Sequence, residues 1–239
     1  MTESPRIFAI SDLHLPGGQD KSMDLFGAHW QDHFIKIQED WQQRVGEQDI
    51  VLIPGDISWA MRLEEAITDL RQIGELPGQK IMIKGNHDFW WSAISNVRAN
   101  LSAGFYAIQN DAVTLPGYVF AGSRGWVMPG DEEEEKDTQK IYNRELIRLE
   151  MSLQRAQKLR QDNKLIVLCH FPPCNQKGED TAVSQLLERY KADAVVYGHL
   201  HGQACAAGFQ GLKNGVLYYL TSCDCINFRL LEITDDICR

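Results

Sequence analysis

Six short apolar runs, rich in β-branched residues, punctuate the chain at residues 6–10, 50–53, 80–83, 118–121, 165–169 and 194–197. Runs of this length with little polar alternation predict strands covered on both faces. Between them the period changes. Ala66, Ile67, Leu70 and Ile73 fall on one face of a helix over 64–73, and Tyr142, Leu146, Leu149, Leu153, Ala156 and Leu159 form a longer stripe over 139–161. A shorter helix is expected over 182–190. Strand–helix alternation of this kind predicts an α/β fold with sheets inside and helices outside. Residues 215–220 and 227–233 read as two strands with no helix between them, which predicts an antiparallel portion near the C-terminus. With no internal repeat and no linker-like stretch, residues 1–239 are expected to form a single domain.

Composition narrows the class. At 44% hydrophobic and 24% charged residues, the chain is an ordinary globular sequence. Its formal charge of −9 disfavours extended nucleic acid as a partner, because that mode of binding rests on Lys and Arg neutralising phosphates. Bound cations can still invert the field inside a site. The N-terminal residues lack a basic region followed by an apolar run, and no stretch approaches a membrane span, so a cytoplasmic location without membrane association is expected. The six cysteines, Cys169, Cys174, Cys205, Cys223, Cys225 and Cys238, are scattered without the density of a disulfide scaffold. They are expected as free thiols in a reducing compartment. The Cys223-Asp224-Cys225 triplet lacks the two-residue spacer of the usual metal or redox pair.

Candidate chemistry clusters at the ends of the strands. Asp12 and His14 follow the first run, Asp56 the second, and Asn86-His87-Asp88 the third; His170 follows the fifth, and His199 and His201 the sixth. In open α/β sheets ligands gather at the carboxyl ends of parallel strands, so these distant segments are expected to meet. In Asp12-Leu13-His14 and His199-Leu200-His201 the polar residues are two apart. In extended backbone both would point to one side while the leucine points into the core. Gly55, Gly85 and Gly198 suit sharp exits from the strands and close approach of backbone to the site. Four imidazoles, two carboxylates and an amide exceed the needs of one four-coordinate ion. Two ions sharing a carboxylate is the natural count, and such pairs clamp phosphoryl oxygens.

The ordered blocks Asp-x-His, Gly-Asp, Gly-Asn-His-Asp, a lone His and Gly-His-x-His resemble the signature of calcineurin-like metallophosphoesterases, and all five are present from Asp12 to His201. The resemblance implies a four-layer α/β/β/α sandwich of two mixed sheets flanked by helices. It implies a first metal on Asp12, His14 and His201, a second on Asn86, His170 and His199, and Asp56 bridging both. It implies a phosphoester hydrolase in which a bridging hydroxide attacks phosphorus in line and His87 protonates the leaving oxygen, a role imidazole chemistry suits. Asp88 would orient His87 or pair elsewhere. The mixed nitrogen and oxygen donors suit manganese first, with iron, zinc, nickel and magnesium also accommodated. The Asp-Arg-Gly that follows Gly-Asp in Ser/Thr protein phosphatases is replaced here by Ile57-Ser58-Trp59-Ala60, so the chain looks more like the compact bacterial branch of phosphohydrolases. A small phosphorylated monoester or diester is the expected substrate. The alternatives are a cyclic-nucleotide phosphodiesterase, a nuclease of the same superfamily, and a metal-binding scaffold without turnover.

Other residues carry weaker signals. His29 and His33 are expected on one helix four positions apart, a spacing that can bind zinc, but the accompanying glutamate is missing. Trp59, Trp90, Trp91 and Trp126 follow motif stretches, where they either pack helix starts or form an aromatic rim for the substrate. Arg124 either clamps a substrate phosphate or holds a structural ion pair, and Lys84 is expected to pack or reach solvent. The acidic run over 131–137 is expected as a solvated lead into the long helix, whose N-terminus favours carboxylates.

Overall fold

The structure, a computed structural model, describes residues 5–18, 23–129 and 136–238. Residues 131–135 of the acidic run therefore lie outside the described residues; Asp137 falls in the first turn of a helix. Two sheets are present. The first has five strands in the order β11 (Leu231–Glu232), β1 (Ile7–Ala9), β2 (Ile50–Ile53), β3 (Gln79–Met82) and β4 (Phe105–Ala107). The second has six, in the order β5 (Ala112–Leu115), β6 (Tyr118–Ser123), β7 (Lys164–Cys169), β8 (Ala194–Tyr197), β10 (Val216–Leu220) and β9 (Gly211–Lys213). Strands β1 to β4 run parallel, as do β6, β7, β8 and β10; antiparallel pairs are confined to β11 with β1, β5 with β6, and β9 with β10.

The continuous apolar runs have their explanation in the layers. Successive side chains of a strand point to opposite faces. Ile7, Ala9, Ile50, Leu52 and Ile81 face Phe120, Ile166, Leu168, Ala194 and Val196 in a core between the two sheets. The alternate residues Phe8, Val51, Ile53 and Met82 meet α1 (His33–Arg44) through Ile37 and Trp41, and α2 (Leu63–Gly74) through Ala66, Leu70 and Ile73. Val119, Val167, Val195 and Tyr197 meet α3 (Lys136–Leu159) through Leu149, Leu153 and Ala156, and α4 (Ala182–Arg189) through Leu186 and Leu187. Each strand is thus apolar on both faces because each sheet is covered twice. The result is the expected α/β/β/α sandwich. Each fully buried Ile, Leu or Val contributes about 1.5–3 kcal/mol to holding the layers together.

The C-terminal expectation needs correction. Strands β10 and β11 are not neighbours: β10 lies in the second sheet and β11 pairs with β1 in the first. Asn227 and Phe228 have φ of 54° and 57°, left-handed backbone that no strand can continue through. The His29–His33 helix also fails. Ala28–Trp30 is a single 3-10 turn, Asp32 is left-handed at φ 53°, and α1 starts only at His33.

Because the parallel strands share one direction, their carboxyl ends collect along one edge, where the two sheets are stitched together. Ser11 N donates to Thr221 O at 2.8 Å and Cys223 N to Ser11 O at 3.0 Å, joining the end of β1 to the end of β10. His170 Nδ1 lies 3.0 Å from Pro54 O, joining the end of β7 to that of β2.

Candidate metal centre

All seven sequence-derived ligands meet at this junction. His14 Nε2 lies 3.4 Å from His201 Nε2, which is 3.4 Å from Asp12 Oδ1. His170 Nε2 and His199 Nδ1 both approach Asn86 Oδ1, at 2.7 and 2.9 Å. Asp56 stands between the two groups, with Oδ2 3.3 Å from His170 Nε2 and 3.9 Å from His14 Nε2. Asp12, Asp56 and His170 are almost completely buried.

The route to this convergence is not the expected one. The backbone at 12–14 is not extended: Asp12 and His14 have φ of 58° and 46°. Asp56, at 53°, and His199, at 74°, are also left-handed. Non-glycine residues held there cost about 1–3 kcal/mol each and cluster at functional sites. Leu13 is fully buried, so it still anchors the loop in the core as expected. Two glycines permit the close packing. A Cβ on Gly85 would sit 2.1 Å from Asp56 Oδ1, and one on Gly198 would sit 2.2 Å from Asp12 Oδ2.

Neighbouring groups orient the donors. Pro54 O can only accept, so His170 Nδ1 donates to it and Nε2 is the nitrogen turned into the site. Asp224 Oδ1 does the same for His201 from 2.9 Å, while its Oδ2 accepts from Gly202 N at 2.8 Å. Asp224 was not a sequence candidate. Asp88 takes the second of its two expected roles and pairs elsewhere. Its carboxylate accepts from Asp56 N, Ile57 N, Ser58 N, Gly85 N and Trp90 Nε1, at 2.7–3.2 Å. It holds the turn that carries Asp56 and is fully buried.

Electrostatics separate the histidines. Burial pushes His14 and His199 down to about 4, so both are neutral lone-pair donors at neutral pH. Burial also acts to lower His170, but the charge and hydrogen bond of Asp56 outweigh it and lift it to about 9. At His201 burial is outweighed by hydrogen bonds to Asp12 and Asp224, which lift it to about 10. Burial favours neutral forms of Asp12 and Asp56, yet the surrounding imidazoles hold Asp12 well below the usual carboxylate range and lower Asp56 as well. Converging imidazole nitrogens and carboxylate oxygens, most of them buried, are a donor set that fits divalent cations.

Above the centre lies a cavity of about 450 Å³. His14, Asp56, His87 and His201 form its polar part, and Met23, Trp30 and Trp59 contribute apolar wall. His87 N donates to Asp56 Oδ1 at 2.7 Å, and its ring lies 4.6 Å from that of Trp59. Trp59 in turn stacks on His14 at 4.8 Å. The two alternatives divide among the four tryptophans, one at the cavity and three packed. Trp59 lines the cavity, whereas Trp90 and Trp91 are buried in the core and Trp126 packs on Phe171 and Arg124. Trp30, which sequence reasoning passed over, takes their place. His33 Nε2 bonds Leu13 O at 2.8 Å and so serves the fold, while His29 lines the cavity. Arg124 holds the expected ion pair, to Glu145 at 3.3 Å. It does not line the cavity above the metal ligands.

The free-thiol expectation fails at two positions. Cys205 and Cys225 form a disulfide across 20 residues, which ties the turn after His201 to the loop bearing Asp224. Sequence spacing concealed this, because their Cα atoms, 5.6 Å apart, meet only through the fold. Cys169, Cys174 and Cys223 are free and buried. Among the described residues no helix is long and apolar enough to cross a membrane.

Comparison with known proteins agrees with the fold. A Mycobacterium phage D29 protein, the gene 66 protein, is 34% identical over 82 residues, a match covering 34% of this chain and 40% of the phage protein. The protein TT1561 of Thermus thermophilus superposes with a TM-score of 0.58 at 17% identity, covering 97% of this chain and 99% of that one. Phosphopantetheinyl hydrolase (PptH) from Mycobacterium tuberculosis superposes with a TM-score of 0.53 at 14% identity, covering 98% and 97%. At these identities the two structures share the fold. The family model for calcineurin-like phosphoesterases matches residues 5–203, the span that holds every motif block, and the chain belongs to that family.

Proposed function

We propose that the protein hydrolyses small phosphate esters with two divalent cations. The observation that carries this reading is the position of Asp56, whose one oxygen lies within 4 Å of an imidazole from each half of the ligand set. Asp12, His14 and His201 would hold one ion, Asn86, His170 and His199 the other, and Asp56 both. When bound, such ions withdraw charge from phosphoryl oxygens and make water nucleophilic at neutral pH. The mixed nitrogen and oxygen donors favour manganese, with iron, zinc, nickel or magnesium as substitutes.

The chain's own residues supply the rest. His87 faces the cavity from the Asp56 side, fixed by its backbone bond to Asp56 Oδ1, where its ring can give a proton to the leaving oxygen. Met23, Trp30 and Trp59 offer apolar surface to the organic part of the ester. A cavity of about 450 Å³ suits a small molecule rather than a polymer, and so does the net charge of −9.

The test is hydrolysis of p-nitrophenyl phosphate and bis-p-nitrophenyl phosphate by metal-stripped protein refilled with manganese. Turnover that depends on metal and is lost in Asp56→Asn and His87→Ala is expected, and the preferred compound separates monoester from diester chemistry. Metal-independent turnover, or full activity in Asp56→Asn, would overturn the proposal.

A further inference from the structure

Beside the metal centre lies a second cavity, of about 280 Å³, whose polar lining is dominated by cations. Lys84, Arg124, Arg144 and Arg148 line it, against one carboxylate, that of Glu145. Four positive charges and one negative leave an excess of three, in a chain whose net charge is −9. Glu145 is already shared: its Oε1 lies 3.3 Å from Arg124 and 2.7 Å from Arg148. One carboxylate cannot neutralise this group. Arg124 also has a buried Nε with no hydrogen-bond partner among the described residues. A desolvated guanidinium nitrogen aimed at nothing is costly, and planar guanidinium forks match phosphate oxygens.

The cavity belongs to the same edge of the fold as the metal ligands. Lys84 is two positions before Asn86. His170 N and Phe171 N both donate to the carbonyl of Arg124, each at 3.0 Å. The volume lies just below the range for small-molecule sites, roughly 300–1,000 Å³, so it fits one charged group better than a whole substrate.

We propose that this cavity is an anion subsite that takes a phosphate or diphosphate group, separate from the phosphoryl group brought to the metals. Its role in catalysis rests on the hydrolase reading above, but its binding chemistry does not. The group comes either from a substrate bearing a second phosphate or from a free polyphosphate anion. In both cases Arg124 and Arg148 contact the oxygens while Arg144 and Lys84 supply charge at the rim.

Binding is tested on metal-stripped full-length protein by calorimetric titration with inorganic pyrophosphate, which removes turnover and metal chelation from the result. One site per chain is expected, weakened about ten-fold or more in both Arg148→Ala and Arg144→Ala. It should be unchanged in His199→Ala. Arg144 is exposed, so its variant keeps the test valid if Arg148→Ala, which loses the Glu145 pair, folds poorly. Equal affinity in wild type and Arg144→Ala, or loss in His199→Ala alone, overturns the proposal. The source is then settled in manganese-loaded protein. If Arg144→Ala raises KM for a bisphosphorylated ester but not for p-nitrophenyl phosphate, the group is the substrate's own. If both KM values stay fixed while pyrophosphate affinity falls, the ligand is a free anion, and the site stands.

Discussion

Oδ1 of Asp224 lies 2.9 Å from Nδ1 of His201, and this contact fixes which imidazole nitrogen faces the metal site. Only Nδ1 can donate to that carboxylate, so Nε2 is the nitrogen turned toward Asp12 and the other candidate ligands. Removing such a partner usually lowers metal affinity by about 10–100-fold. Asp224→Ala is therefore expected to weaken manganese binding by about that factor, measured by competition with a chromophoric chelator. Asp224→Asn, whose amide oxygen can still accept, should recover most of the loss. Wild-type affinity in Asp224→Ala would remove Asp224 from the site.

Asp88 does a different job. Five N–H donors converge on a fully buried carboxylate. Burial pushes this group up to about 6, helped by the charge of Asp56 and resisted by the donors. Asp88→Asn places amide hydrogens against N–H groups that need an acceptor, at an expected cost of about 3 kcal/mol. Urea denaturation of metal-free protein measures it. A loss below about 1 kcal/mol would show that the turn carrying Asp56 holds itself.

Gly85 tests the same turn from the other side. Since an added Cβ would meet Asp56 Oδ1 at 2.1 Å and Asp56 N at 2.2 Å, Gly85→Ala must move the carboxylate shared by both halves of the ligand set. The expected result is a fall in manganese content from two ions per chain to one or fewer, by elemental analysis after dialysis. The far-UV circular dichroism should stay unchanged. Two ions retained in Gly85→Ala would mean that Asp56 does not bridge.

What could be read from the sequence divides along the same lines. The convergence of the seven candidate ligands was legible because each sits in a short motif immediately after a strand, and parallel strands gather such ends whatever their spacing. The interlayer core was legible because strands covered on both faces lose their alternation, as at 50–53 and 165–169. Asp224 was not legible. It follows β10 in no recognisable motif, and its partner is 23 positions away. The placement of β11 was lost for a related reason, since a two-residue edge strand leaves almost no periodic signal. Trp30 was overlooked because no motif block precedes it and the His29–His33 spacing predicted an ordinary helix there, where a 3-10 turn stands instead. Local pattern thus revealed the residues that touch the site, and only tertiary contact revealed those that orient them.

Trp59 and Trp90 follow motif blocks alike, yet they should respond oppositely to truncation. Trp59 faces the cavity and stacks on His14. Trp59→Ala is expected to raise KM for an aryl phosphate several-fold with little loss of stability. Trp90 is 1% exposed and donates to Asp88. Trp90→Ala should cost about 3–5 kcal/mol of stability and reach the site only through Asp88. Steady-state kinetics beside thermal unfolding of both variants decides the matter, and the reverse pattern would exchange their roles.

Acid stability should depend on Asp49, which takes no part in the candidate metal centre. Its carboxylate accepts from Arg6 N, Arg6 Nε, Arg6 Nη2 and Gly46 N, at 2.7–3.1 Å, tying the start of β1 to the start of β2. Burial acts to raise this carboxyl, but the Gly46 and Arg6 hydrogen bonds hold it below its ordinary value of 3.8. A carboxylate lowered in the folded state adds stability that is complete above its unfolded value. That stability is lost as pH falls through the lowered folded one. Asp49→Asn is therefore expected to cost about 1.5–3 kcal/mol at neutral pH, the usual worth of hydrogen bonds to a charged group. The variant should also lose stability less steeply than wild type below about pH 4. Urea denaturation midpoints collected from pH 3 to 7 test both parts, and parallel curves for the two proteins would show that this carboxylate contributes nothing specific to folding.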